Sequence, residues 1–241
     1  MPRTIELMLY NYDELPNEKA KSVARDWYRE VSQQDVWWDA VYEDVVICAE
    51  KLGIQIDSHE VRTTSNKSKL EKNIYFNISG NQGDGACFTG IWRAILPTYT
   101  TTEPPQKNID EHSAGMVTVI KEYESFLEAI KSHAPNNAIL HKIAQTLDAQ
   151  MKTVTPISDA ALYVNIRHRG NYYNPAHMIF ETNADKYNDI APVYDVLREF
   201  ADWIYKQLDD EYSVMNSDEN VTECILANNY EFNVAGKRVV E

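Results

Sequence analysis

Hydrophobic and polar positions alternate at the start of the chain. Ile5, Leu7 and Leu9 stand between Glu6, Met8 and Tyr10, the two-residue period of a strand with one buried face. The period then changes. Pro16 suits a first helical turn and Glu18 lies where the helix dipole favours an acid. Ala20, Val23, Ala24, Trp27 and Val31 recur at three- and four-residue steps, which predicts a helix burying that stripe. A second helix is predicted from about Val36 to Leu52, with Trp38, Val41, Val45, Cys48 and Leu52 on one face and Gly53 placed to cap its end. Ile54 to Ile56 reads as another strand, and the polar run Thr63 to Lys69 as an exposed connection.

Alternation returns at Ile74, Phe76 and Ile78, and the loop Gly80 to Gly85 turns that strand back into a partner starting at Ala86. Pro97, Pro104 and Pro105 mark a break before two predicted helices, about Met116 to Lys131 and Asn137 to Lys152. Leu162, Val164, Ile166 and His168 alternate with polar neighbours, and Met178 and Phe180 repeat the pattern after a turn, so a second hairpin is expected. A last long helix, about Asp189 to Tyr212, would bury Ile190, Val193, Leu197, Ala201, Ile204 and Leu208. Hairpins separated by helices predict an α+β fold, an antiparallel or mixed sheet with helices packed on it. The expected organisation is one domain over residues 1–241, with an inserted helical subdomain at about 98–156.

Composition narrows the function classes. With 44% hydrophobic and 25% charged residues the chain can build a sizeable core. A formal charge of −14 disfavours direct binding to nucleic acid, because that affinity comes from basic groups displacing counterions. Without a long apolar run or a signal-like start, a cytoplasmic location away from the membrane is expected. Cys48, Cys87 and Cys224 are an odd number with no C-x-x-C pair, so reduced thiols are expected. The six histidines form no H-x-x-x-H pair, so neither a metal site nor a cofactor is predicted.

Three constellations could carry chemistry. Gly80, Gly83, Gly85 and Gly90 crowd around Gln82 and Asp84, and such a loop can converge backbone N–H groups on an anion. Arg167, His168, Arg169, Tyr172 and Tyr173 put cations and aromatic rings around one turn, a grip for a nucleotide or another anion. A plain hairpin loop and a hydrogen-bonded core histidine explain the same residues. On the long helix, Asp195, Glu199, Asp202 and Asp209 fall within about 80° of arc at 100° per residue. Such a row could imitate a phosphate backbone, or it could be a solvated helix face.

Asp84-Gly-Ala-Cys-Phe88 resembles the Asp-Gly-x-Cys box of ovarian-tumour-type cysteine proteases, and His168 with Tyr173 and Asn174 resembles that family's late His-Tyr-Asn. The resemblance implies Cys87 as nucleophile and His168 as base, with Asp84 nearby. The chain departs from it at Gly90, which would interrupt the helix the cysteine opens. A broader resemblance joins Ile5 to Tyr10, Asp13 to Pro16, Ala20 to Tyr28 and Trp37 to Asp44. It continues through Gln82 to Ala86, His168 to Tyr173 and Ala227 to Phe232. This pattern is similar to a family of uncharacterised phage and prophage accessory proteins, sometimes labelled antitoxin-like. It implies a phage-encoded anti-defence or host-takeover protein that inhibits a host defence or nucleic-acid-processing protein through its acidic face.

Two readings stay open beside that one: a binder or hydrolase of a nucleotide or other anionic small molecule, and the cysteine protease. Non-catalytic inhibition is the expectation; the sequence leaves the oligomeric state open.

Overall fold

The computed structural model describes residues 8–32, 37–62, 68–80, 83–94, 99–102, 117–120, 125–153, 162–170, 172–184 and 189–239. The elements are β1 (Tyr10–Asn11), α1 (Glu18–Ser32), α2 (Asp39–Lys51), β2 (Ile54–Ile56), β3 (Ser58–Arg62), β4 (Ser68–Lys72) and β5 (Ile74–Asn77). They continue with β6 (Gly85–Phe88), β7 (Gly90–Arg93), β8 (Tyr99–Thr102), β9 (Val117–Ile120), α3 (Phe126–His133) and α4 (Ala138–Thr153). Last come β10 (Tyr163–His168), β11 (Met178–Thr182), α5 (Ala191–Met215), α6 (Asp218–Ala227) and β12 (Glu231–Phe232). All strand pairs are antiparallel, and the protein is α+β.

The chain divides into two compact units, Tyr42–Tyr205 and the pair of segments Met1–Val41 and Lys206–Glu241. The larger unit is organised around three residues. Asp57, Asn73 and Thr89 each follow one strand and precede the next, and their backbones close a ring. Asp57 N–H donates to the Thr89 carbonyl (2.9 Å), Thr89 N–H to that of Asn73 (3.1 Å) and Asn73 N–H to that of Asp57 (2.9 Å). Three ribbons leave this node: β2 with β7, β3 with β4, and β5 with β6. Each strand thus changes partner at the node while these backbone groups stay paired. Side chains link the same residues along two sides of the ring, since Asn73 Nδ2 donates to Thr89 Oγ1 (3.0 Å) and Thr89 Oγ1 to Asp57 Oδ2 (3.3 Å).

The β2–β7 ribbon extends into a four-stranded sheet ordered β11-β10-β7-β2. Its inward residues Ile54, Trp92, Val164 and Ile166 are buried, and Trp92 Nε1 donates to the Leu52 carbonyl at the end of α2 (3.1 Å). Helix α5 packs on the strands through Phe88 against Phe200 (5.7 Å, edge-on) and Phe180 stacked on Tyr194 (4.9 Å). Within 98–156 lie β8, β9 and the α3–α4 pair. These two helices bury Phe126, Ile130, Leu140, Ile143 and Leu147. Asp148 of α4 caps α3 by accepting from Ser125 Oγ (2.7 Å), Phe126 N–H (2.9 Å) and Leu127 N–H (3.2 Å).

The smaller unit has its own core of Tyr12, Leu15, Ala20, Ala24, Val221, Ile225 and Phe232, with Trp27, Tyr28 and Tyr230 packed against it. Arg25 joins α1 to α6 by pairing with Glu18 (2.5 Å) and Asp218 (3.3 Å) and donating to Tyr12 Oη (2.6 Å). Arg29 pairs with the same Asp218 carboxylate.

Several expectations need correction. Ser68 and Lys69, read as part of a connection, begin β4, and β3 faces them; both strands are largely exposed and polar, so no buried face imposes alternation. Met116 to Lys131 is not one helix: Val117–Ile120 is a strand and α3 starts at Phe126. The β-branched run from Val117 favours a strand over a helical stripe. Val31 is exposed rather than buried. Of the first predicted strand, residues 1–7 lie outside the described residues, and pairing is seen only at Tyr10 and Asn11, with β12.

Gly90 follows the node and crosses β2 so closely that a Cβ there would stand 2.2 Å from the Gln55 carbonyl oxygen. Gly90→Ala is therefore expected to destabilise the protein by at least about 2 kcal/mol, read from the urea midpoint. An unchanged midpoint would mean that β2 and β7 are not in this contact.

Candidate functional site

The Gly80–Gly85 loop and the Arg167–Tyr173 turn, remote in sequence, meet. Gly85 makes this possible. A Cβ on Gly85 would lie 2.9 Å from Asn174 Cα and 3.0 Å from the Tyr173 carbonyl oxygen, and its φ of 155° already disfavours a side chain. A Cβ on Gly83 would touch the Tyr172 ring at 3.4 Å. Tyr75 on β5 joins the contact: its ring lies 5.8 Å from His168 and 6.0 Å from Tyr173, nearly parallel to both, and His168 lies 5.4 Å from Tyr173. Tyr172, 61% exposed, stacks on His177 at 5.5 Å. The result is two small groups of rings at one loop junction. Tyr75 was missed by sequence reasoning; its signal was its place on the same β5–β6 ribbon, opposite Cys87.

The candidate polar groups at this junction are occupied. Asp84 accepts from Ser79 N–H (3.1 Å), Ser79 Oγ (2.8 Å) and Gly80 N–H (2.6 Å), so these two loop amides hold the loop's own carboxylate. His168 Nε2 donates to the Tyr172 carbonyl (2.7 Å), which makes it a hydrogen-bonded, half-buried histidine at the strand end. Arg167 pairs across the hairpin with Glu181 (3.2 Å); Arg169 is exposed. Gln82 lies outside the described residues. Cys87 is fully buried in β6, and burial pushes its thiol up to about 12. A nucleophilic cysteine needs the opposite shift.

The acidic candidates lie on α5. Asp195 pairs with Arg198 (3.4 Å) and Glu199 with Lys142 of α4 (2.8 Å). Asp202 is exposed, yet the protein packed beside it and the charge of Glu199 hold its carboxyl above the usual carboxylate range. The structure thus brings Asp195, Glu199 and Asp202 together within the larger unit, while Asp209 falls in the smaller one. Among the described residues, no helix is long and apolar enough to cross a membrane.

Residues 37–218 match the family model described as a domain of unknown function, DUF8835. The chain belongs to that family. The matched span holds the node, the loop junction and all of α5. No curated protein and no solved structure matches the chain.

Two outcomes follow. A thiol reagent applied to the folded protein should label Cys224, which is partly exposed, and leave Cys48 and Cys87 untouched; rapid labelling of Cys87 at neutral pH would restore it as a nucleophile. Asp202→Asn should raise the melting temperature at neutral pH. A raised folded-state pKa means that ionised Asp202 disfavours folding above the usual carboxylate range, and the handicap fades as pH falls through that range and both states protonate. The gain on substitution should fade with it.

Proposed function

We propose that this protein is a non-catalytic binding protein that engages a cationic surface on another protein through the acidic face of α5. The observation that carries the reading is the row of Asp195, Glu199 and Asp202 on one face of α5, where the neighbouring Glu199 charge and the protein packed beside it disfavour ionised Asp202 even though the residue is exposed. A carboxylate kept ionised against such a field is relieved when a basic partner arrives. The net charge of −14 acts in the same direction by steering a basic partner towards the chain. The engagement of Asp84 and His168 and the burial of Cys87 support binding over catalysis. The resemblance to phage accessory proteins supports a bacterial defence or nucleic-acid-processing protein as the partner, inhibited by occupation of a basic channel in the host cytoplasm.

A second reading is favoured by the meeting of the two loops. The exposed Tyr172–His177 stack offers a flat aromatic surface, and Arg169 on the same turn supplies a cation. Those groups suit a ligand with an aromatic plane and a negative charge, a nucleotide above all.

The experiment is affinity capture from a bacterial lysate at low and high salt, followed by binding measurements on the identified partner. The acidic-face reading expects release at high salt and a loss of at least about tenfold in affinity for the triple charge reversal Asp195→Lys, Glu199→Lys, Asp202→Lys. Affinity indifferent to both would sink it. The second reading expects a nucleotide to raise the melting temperature of the intact protein, an increase that Tyr172→Ala removes.

A further inference from the structure

Asp44 and Cys48 are four residues apart on α2, so they share one helix face. His133, the last residue of α3, meets them. One ligand atom from each of the three side chains lies within 4.8 Å of the other two, and His133 Nε2 stands 2.6 Å from Asp44 Oδ1. We propose that Asp44, Cys48 and His133 form a binding site for a zinc-class divalent cation with an open fourth coordination position.

The donor set selects the ion. Imidazole, carboxylate and thiolate are the three protein ligand types of zinc, whereas magnesium and calcium take oxygen ligands. The geometry is close to what the ion needs. Bond lengths of about 2.0–2.1 Å to nitrogen and oxygen and about 2.3 Å to sulfur put ligand atoms roughly 3.3–3.6 Å apart in a tetrahedron. His133 and Asp44 must separate by roughly 0.7 Å to admit the ion. Their side chains, 29% and 49% exposed, have room to rotate. Cys48 is fully buried, so its sulfur closes the inner side of the site while the other two leave a path from solvent.

Charge also balances. A carboxylate and a thiolate neutralise a divalent cation, the thiol proton passing to solvent, with the imidazole neutral. The Asp44–His133 pair alone, exposed as it is, contributes no more than about 1 kcal/mol; with the ion in place the same residues tie α2 to α3. The fourth position is left to water or to a ligand from a partner.

The test uses the full chain, stripped of metal and titrated with cobalt(II) as a spectroscopic stand-in for zinc. The expected result is a thiolate-to-cobalt charge-transfer band that saturates at one equivalent and is displaced by zinc. Cys48→Ala should abolish the band. His133→Asn, at a partly exposed position that leaves the core intact, should weaken cobalt binding by at least about tenfold and remove the rise in melting temperature that zinc gives the unmutated protein. A missing charge-transfer band in the unmutated protein, or a band and affinity unchanged in His133→Asn, would overturn the proposal.

Discussion

Three backbone hydrogen bonds, closed in a ring through Asp57, Asn73 and Thr89, set the course of the larger unit. Each bond contributes only about 1 kcal/mol net, but the ring does what no linear ladder can. It lets three chain passes change partner at one point while the N–H and carbonyl groups of the ring stay paired. The β2–β7 ribbon then enters the four-stranded sheet, and the β5–β6 ribbon ends in the glycine loop. The contact of that loop with the turn after β10 follows from the same point, because β10 is the neighbour of β7. Gly90 keeps the crossing close enough for all of this.

Where one face of an element is buried, the sequence announced it. The stripe on α5, the alternation of β10 and the capping by Gly53 place apolar residues or a glycine where the physics requires them, whereas on β5 only Ile74 is buried and Phe76 is half-buried like its neighbour Tyr75. Where burial imposes nothing, the pattern was silent. The β3–β4 ribbon is held by its backbone and carries Lys and Glu on both faces, so it looks like a connection. The run after Met116 has apolar residues at every spacing, and only its β-branched content distinguishes strand from helix.

The candidate site was legible in its parts but not in its closure. Clustered glycines and the cluster of Arg, His and Tyr marked two loops, and nothing in a one-dimensional pattern says that Gly85 brings them together or that Asp84 turns inward to Ser79 and Gly80. The grouping of Asp44, Cys48 and His133 was hidden for a similar reason. Two of its members have helix spacing and the third comes from a different helix far along the chain, so no local motif contains it. Charge tells a related story. The −14 total is visible from composition, whereas the pairing of Glu199 with Lys142 and Asp195 with Arg198, which leaves Asp202 in the least favourable place, needs the packed structure.

The β3–β4 ribbon has a different standing from the other two that leave the node. Its residues contribute nothing to the buried set, and Leu70 stands 74% exposed. Because the ring at its base closes its own hydrogen bonds, residue pairs can be added to or removed from both strands without shifting the register of either neighbouring ribbon. Relatives are thus free to vary the length and sequence of this arm while keeping one scaffold, and an engineer is free to replace its outer end with a foreign peptide.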